Sequence, residues 1–195
     1  MKKKVFTASV FLLCLAILAG TTMAYFTAKD TAHNVITSGN VDIELVEKQD
    51  KDGTLVDYPE GPIQGILPGE SVSKIVTVRN TGSGDAWVRV QIEKIIELNG
   101  EYAVPGQIPD PDLMALDIND RDWVEKDGWY YYRKALPAGS STEPLFENVS
   151  FSLKMDNPYQ GASLDVVVSA QAVQSKNNPL PTGGDYSRIP GWPET

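Results

Sequence analysis

The sequence predicts an all-β protein, a single-domain antiparallel β-sandwich of jelly-roll type. Three observations support this prediction. Apolar and polar residues alternate with a period of two through most of the chain after residue 40, and glycine- and proline-rich turns separate these runs at regular spacing. No long stretch after the N-terminal leader has the periodicity of an amphipathic helix. About eight or nine short strands of this kind are typical of a sandwich or jelly roll.

The first 24 residues have the pattern of a secretory signal peptide. Three lysines follow the first methionine, residues 5–20 are largely apolar, and Thr22-Met23-Ala24 is a small-residue cleavage pattern. The apolar run of about 16 residues is shorter than the roughly 20 that span a bilayer. We predict cleavage between Ala24 and Tyr25. A permanent membrane anchor and a lipoprotein modified at Cys14 are the alternatives.

The first strands of the predicted sandwich follow from alternation. Apolar and acidic residues alternate from Val41 to Leu45, which places the apolar ones on one face. The same alternation recurs in residues 72–79 and 86–93, which a glycine-rich turn separates, so these runs are predicted antiparallel neighbours. Asn99-Gly100 predicts a tight hairpin between two short strands within residues 95–104.

The second half begins with a proline-rich, acidic loop at residues 105–122, in which a helical turn is predicted near residues 113–116. Three further strands are predicted at residues 129–133, 145–153 and 164–173. In the first of these, alternation sends Trp129 and Tyr131 to one face and Tyr130 and Tyr132 to the other. We therefore expect core packing of one face rather than a flat aromatic platform for carbohydrate.

Residues 175–195 contain four prolines and three glycines and lack periodicity, so they are predicted to be a flexible tail. The predicted organisation is a signal peptide at 1–24, an N-terminal segment at 25–40, the sandwich at 41–174 and the tail at 175–195.

The charge of the chain limits its partners. Cleavage after residue 24 removes three lysines and no acidic residue, which changes the formal net charge from −9 to −12. A polyanion repels nucleic acid and anionic membranes. We therefore predict no nucleic-acid partner, and membrane contact only through the signal peptide before cleavage.

Catalytic chemistry has few candidate residues. Cys14 leaves with the signal peptide, so the mature chain has no thiolate, and its one histidine is His33. A His-Glu-x-x-His zinc motif does not occur in the sequence. On this basis we predict that the protein is not an enzyme and has no cofactor.

The acidic loop contains one candidate metal site. Asp117, Asn119, Asp120 and Asp122 supply hard oxygen ligands at a density that could hold one Ca²⁺. The alternative is a solvated acidic loop that keeps a secreted protein soluble.

Several segments resemble one known family. These segments are residues 24–28 and 38–43, Leu67-Pro68-Gly69-Glu70 with residues 78–82, and residues 128–132 with 144–146. These segments, in this order and spacing, are similar to the TasA/camelysin-like family of secreted proteins with SipW-type signal peptides, and in particular to BsaA-type biofilm matrix proteins. The resemblance spans most of residues 1–173.

The resemblance implies a jelly-roll subunit of an extracellular matrix fibre, a head-to-tail homopolymer processed by a signal peptidase of SipW type. It also implies that the mature N-terminus of one subunit completes a sheet of the next. Camelysin-like relatives are described as metallopeptidases, a label for which the sequence offers no recognisable zinc motif.

The N-terminal segment has the composition of such a donor strand. Tyr25, Phe26, Val35 and Ile36 are spaced apolar residues, and Thr37-Ser38-Gly39-Asn40 separates them from the first patterned strand. An unpaired sheet edge with an apolar slot would accept them. The alternatives are a segment that folds back as an edge strand or stays unstructured, and a protein that acts as a monomeric surface or adhesion module.

Overall fold

The computed structural model describes residues 34–38 and 41–193, and it confirms the predicted all-β sandwich. Ten strands lie in this part of the chain. They are β1 Asn34–Ser38, β2 Ile43–Lys51, β3 Thr54–Asp57, β4 Ser71–Asn80, β5 Ala86–Glu97, β6 Met114–Leu116, β7 Trp123–Lys126, β8 Trp129–Tyr132, β9 Phe146–Phe151 and β10 Ser163–Gln174. Single 3₁₀ turns lie at Pro111–Leu113, Asn157–Tyr159 and Tyr186–Arg188.

The strands form two five-stranded sheets. Sheet 1 has the order β1-β10-β5-β8-β7, and sheet 2 has the order β3-β2-β4-β9-β6. All pairings between these strands are antiparallel except that of β1 with β10, which is parallel. After β4 the chain passes from one sheet to the other between most consecutive strands, as expected for a jelly-roll connectivity.

The core lies between the sheets and is built from the predicted alternating positions. On β10 every second residue from Leu164 to Ala172 is buried, and Val41, Ile43 and Leu45 are buried on the opposite sheet. Phe146 of β9 is fully buried among them. Burial of each large aliphatic or aromatic side chain contributes about 1.5–3 kcal/mol relative to exposure.

The predicted hairpin at Asn99-Gly100 is wrong. β5 ends at Glu97, and residues 101–104 form turns rather than a strand. Gly100 instead allows a close approach of two loops, because a Cβ at this position would lie 1.9 Å from the carbonyl oxygen of Gln160. Tight two-residue hairpins form at two other Asp-Gly pairs. Asp52 and Gly53, with φ angles of 55° and 82°, join β2 to β3, and Asp127 and Gly128, with φ angles of 54° and 78°, join β7 to β8.

The sequence predicts a flexible C-terminal tail, and in the structure the described residues of this tail, 175–193, lie against sheet 1. These residues pack on the side of sheet 1 that faces away from the core. Ile189 is buried, and the rings of Tyr186 and Trp192 contact Tyr131 of β8 with centroid distances of 6.4 and 5.8 Å. The segment is rich in proline and glycine, but its aromatic side chains bury enough apolar surface to hold it on the sheet.

Candidate functional site at the β1 edge of sheet 1

The N-terminal segment contributes the edge strand of sheet 1. Among the described strands, β1 pairs only with β10, in a parallel register that runs from Asn34 opposite Ser169 to Ser38 opposite Val173. Val35 is half-buried and packs against the core. The fold-back alternative considered from the sequence therefore describes β1 in this structure.

The position of β1 in the chain makes it separable from the rest of the sandwich. Residues 39–42 connect it to β2, which lies in the other sheet, whereas its hydrogen-bonding partner β10 lies near the opposite end of the sequence. Removing β1 would break no other strand pairing. It would uncover the backbone groups of β10 from Ser169 to Val173 and the apolar surface under Val35.

The same edge of β10 continues beyond β1. Ile63 forms an isolated bridge with Leu164, in which its backbone N–H donates to the Leu164 carbonyl at 2.7 Å. Between this bridge and Ser169, residues 165–168 of β10 have no strand neighbour on this side among residues 34–38 and 41–193. A sheet edge of this kind can accept an added strand.

A buried ion pair lies inside the sandwich near this edge. The Lys74 ammonium is 2.7 Å from the Glu47 carboxylate and 4.1 Å from the ring centroid of Tyr58, and Lys74 is only 4% exposed. Burial raises the pKa of the Tyr58 phenol to about 12, and the nearby carboxylates of Glu47 and Asp165 add to the effect. Tyr58 therefore stays protonated and neutral at physiological pH.

The predicted donor-strand residues are only partly placed. Val35 and Ile36 lie in β1, opposite Ala170 and Gln171. Tyr25 and Phe26 lie outside the described residues, as does the predicted cleavage site between Ala24 and Tyr25.

The first calcium candidate, Asp117, is engaged in hydrogen bonds. Its carboxylate accepts from the backbone N–H groups of Glu147 and Asn148 at 2.9 and 2.8 Å, and from the Asn148 amide at 2.8 Å. Partial burial acts to raise the pKa of Asp117, but these hydrogen bonds outweigh it and lower the pKa. The carboxylate thus ties β9 to the loop that follows β6.

The other candidates surround a second carboxylate. Asp122 accepts from the Arg121 guanidinium at 3.0 Å, the Lys134 ammonium at 3.2 Å and the Asn119 amide at 3.3 Å. Desolvation acts to raise the pKa of Asp122, and these donors lower it. Asp120 contributes its backbone carbonyl to Arg133 at 3.2 Å. Calcium binding stays a prediction, and at Asp122 the ion would have to displace two cationic partners.

The aromatic run of β8 alternates as predicted. Tyr132 and Tyr130 contribute to the core between the sheets, while Trp129 and Tyr131 face the C-terminal residues. Arg89 of β5, which alternation places on the outward side, is 8% exposed because the C-terminal residues cover it. No periodic signal in the sequence predicts this cover.

Comparison with known proteins supplies the family. A family model described as camelysin metallo-endopeptidase matches residues 1–110, more than half of the chain. The chain belongs to the camelysin family. This confirms the TasA/camelysin-like resemblance, while the SipW-type and BsaA-type assignments stay predictions. No curated protein and no solved structure matches the chain. In the described part of this camelysin-family chain, no helix is long and apolar enough to cross a membrane.

The family description contradicts our prediction that the protein is not an enzyme. That prediction rested on a single histidine and on the absence of cysteine from the mature chain. Within residues 34–38 and 41–193, no group of three or more His, Cys, Asp or Glu side chains is arranged to hold a metal ion. His33 lies outside these residues. The described residues therefore do not fit a bound catalytic metal, and we derive no catalytic step from them.

Proposed function

We propose that this camelysin-family protein is a structural subunit of an extracellular matrix fibre that assembles head to tail. In the fibre, the N-terminal segment of one subunit takes the place of β1 beside β10 of the next subunit. The observation that supports this proposal is the parallel pairing of β1 with β10 at the edge of sheet 1. Residues 39–42 are the covalent connection between that strand and β2.

The geometry favours strand exchange because β10 can pair in the same way with β1 of its own subunit or with β1 of another subunit. A β1 segment from another subunit can form the same backbone hydrogen bonds and bury the same half-buried Val35. Each subunit then offers one donor segment and one acceptor edge. A heterologous contact of this type gives a filament on repetition when the rotation between successive subunits does not close into a ring.

Export would control this assembly. Removal of residues 1–24 by a signal peptidase of SipW type would free Tyr25 and place the subunit outside the cell. Tyr25 and Phe26 would then extend the donor segment by two aromatic residues. An uncleaved leader would hold the segment at the membrane, so cleavage acts as the switch for assembly.

Two forms of the chain test this proposal, one that starts at Tyr25 and one that starts at Gly39. We expect filaments by negative-stain electron microscopy and sedimentation from the first form only. A folded Gly39 form that makes the same filaments would refute donor-strand exchange. A Tyr25 form that stays monomeric at all concentrations would instead support a monomeric surface or adhesion module.

The family match favours endopeptidase activity as a second candidate function. The test is hydrolysis of casein by the Tyr25 form after incubation with Zn²⁺, with and without a chelator. His33→Ala is the matched variant because it removes the one histidine. Cleavage that the chelator and the variant both abolish would establish activity in this chain, whereas equal cleavage by the variant would assign it to another source.

A further inference from the structure

The side of sheet 1 that faces away from the core carries a second aromatic cluster, which we call the outer face. Six of its side chains come from three adjacent strands. They are Trp87 and Arg89 of β5, Trp129 and Tyr131 of β8, and Gln171 and Val173 of β10. Residues 178–193, called here the C-terminal segment, cover this face.

Arg89 is the centre of the contact. Its guanidinium lies 4.0 Å from the ring centroid of Trp129 and 4.7 Å from that of Trp192, so the cation is held between two indoles. Its Nε and Nη2 donate to the Gln171 side-chain oxygen at 2.8 and 2.6 Å. Nη2 also donates to the carbonyl of Pro193 at 3.0 Å. The C-terminal segment therefore supplies both an aromatic ring and an acceptor to a buried cation.

Further contacts fix the segment along its length. The Trp87 indole donates to the carbonyl of Asn178 at 2.7 Å, and the Tyr186 hydroxyl donates to the carbonyl of Arg133 at 2.8 Å. Lys126 forms an ion pair with Asp185 at 2.6 Å. The outer face thus recognises the segment by side-chain chemistry at several separate points.

The chain between β10 and the end of the C-terminal segment can adopt a backbone conformation other than the one in this structure. Within the described residues, the chain after β10 adds no strand to either sheet. Gly183 and Gly184 have φ angles of 102° and 74°, a region where glycine is free and other residues are strained. Rotation at these glycines can redirect residues 185–193 without disturbing the strands.

We propose that the outer face is an interaction surface for residues 185–193 of the C-terminal segment of a second copy of this chain. The contacts made within one chain show which sequence fits the face, and a second copy presents the same sequence. Exchange of an identical element between protomers needs no new contact. A short flexible linker gives its own segment an effective concentration of about 1 mM, so exchange between chains is expected where subunits reach such concentrations. This interaction does not depend on donor-strand exchange at β1.

The test uses two ion pairs as reporters in the full-length chain. Subunits labelled with ¹⁴N and ¹⁵N are mixed, incubated at about 1 mM to permit exchange, and treated with a carbodiimide, which converts a close Lys–Asp ion pair into an amide with loss of water. Lys126–Asp185 reports on the C-terminal segment. Lys48–Asp57 joins β2 to β3 within one sandwich and is the control, because it cannot exchange without unfolding.

Mass spectrometry of the linked peptides separates the outcomes. We expect Lys126–Asp185 peptides with one light and one heavy partner at a level at least about tenfold above that of Lys48–Asp57, and we expect this level to fall on dilution before cross-linking. Trp192→Ala should lower the yield of the Lys126–Asp185 link and leave that of Lys48–Asp57 unchanged. Hybrid peptides at equal, background levels for both pairs at every concentration would overturn the proposal.

Discussion

Val35 of β1 lies opposite Ala170 of β10, and the two strands run in the same direction. Every other pair of neighbouring strands described in the two sheets is antiparallel. The parallel contact joins the N-terminal segment to a strand near the other end of the chain. It is therefore the pairing that another copy can replace with least change to the sandwich.

Replacement of Val35 by aspartate should prevent filament formation. The side chain is half-buried against the core, and loss of its apolar contact costs about 1–3 kcal/mol before the cost of desolvating a carboxylate is added. We expect no filaments by electron microscopy and an otherwise folded monomer by circular dichroism. Leu153→Asp is the control, because Leu153 is 82% exposed. Normal filaments from Val35→Asp would contradict the assignment of β1 as the donor.

Phe146→Ala should lower the free energy of unfolding by about 3–5 kcal/mol, because it opens a cavity at a fully buried position between the sheets. Urea unfolding followed by tryptophan fluorescence measures the change. Leu153→Ala should change the free energy of unfolding by no more than about 0.5 kcal/mol. A similar small effect for Phe146→Ala would show that the two sheets do not pack as described.

The Lys74–Glu47 pair predicts a non-additive pair of substitutions. Lys74→Met alone leaves the Glu47 carboxylate buried without its cation, which should cost about 3–5 kcal/mol of unfolding free energy. Lys74→Met combined with Glu47→Leu removes both charges, and most of the lost stability should return. A double variant as unstable as the sum of the two single variants would refute a coupled pair.

Tyr58 predicts a loss of stability at alkaline pH. Its pKa is raised from 10.0 to about 12 in the folded state, chiefly by burial and then by Glu47 and Asp165. Because the folded state holds this proton more tightly than the unfolded state, the stabilising contribution is complete below pH 10 and declines as the pH rises from 10 to about 12. Phenolate absorbance during an alkaline titration should show a late transition that Tyr58→Phe reduces by one tyrosine. Burial, and then Glu125, also raise the pKa of Tyr130, so its late contribution should stay. Ionisation of all tyrosines near pH 10 would contradict this burial.

Alternation was sufficient to predict most strands of the sandwich. The alternating sequences that form β4, β5 and β10 each bury one face over many residues. Their periodicity therefore identifies both the strand and the side that faces the core. β1 has five residues and no such repeat. Its parallel pairing with β10 depends on a contact between segments that are distant in sequence, which the local sequence of β1 does not encode.

The C-terminal segment could not be predicted by the same reasoning. Tyr186 and Trp192 are held by contacts with Trp87, Arg89 and Tyr131, which are distant in sequence. The proline and glycine content correctly indicated a segment without strands, but it does not predict whether such a segment packs against a sheet. The available signal was the presence of two large aromatic residues, Tyr186 and Trp192, in a tail rich in proline and glycine.

The most direct test of the proposed fibre uses two single-cysteine subunits, Val35→Cys and Ala170→Cys, in the form that starts at Tyr25, which contains no native cysteine. The two positions are register partners, so a disulfide can form between them. In filaments grown from the mixture, we predict disulfide-linked dimers that contain one subunit of each kind. Val35→Cys mixed with Val166→Cys, which shares the inward face of β10 but lies outside the β1 register, should give none. Filaments from the first mixture that contain no linked dimers would contradict donor-strand exchange at the β1 edge.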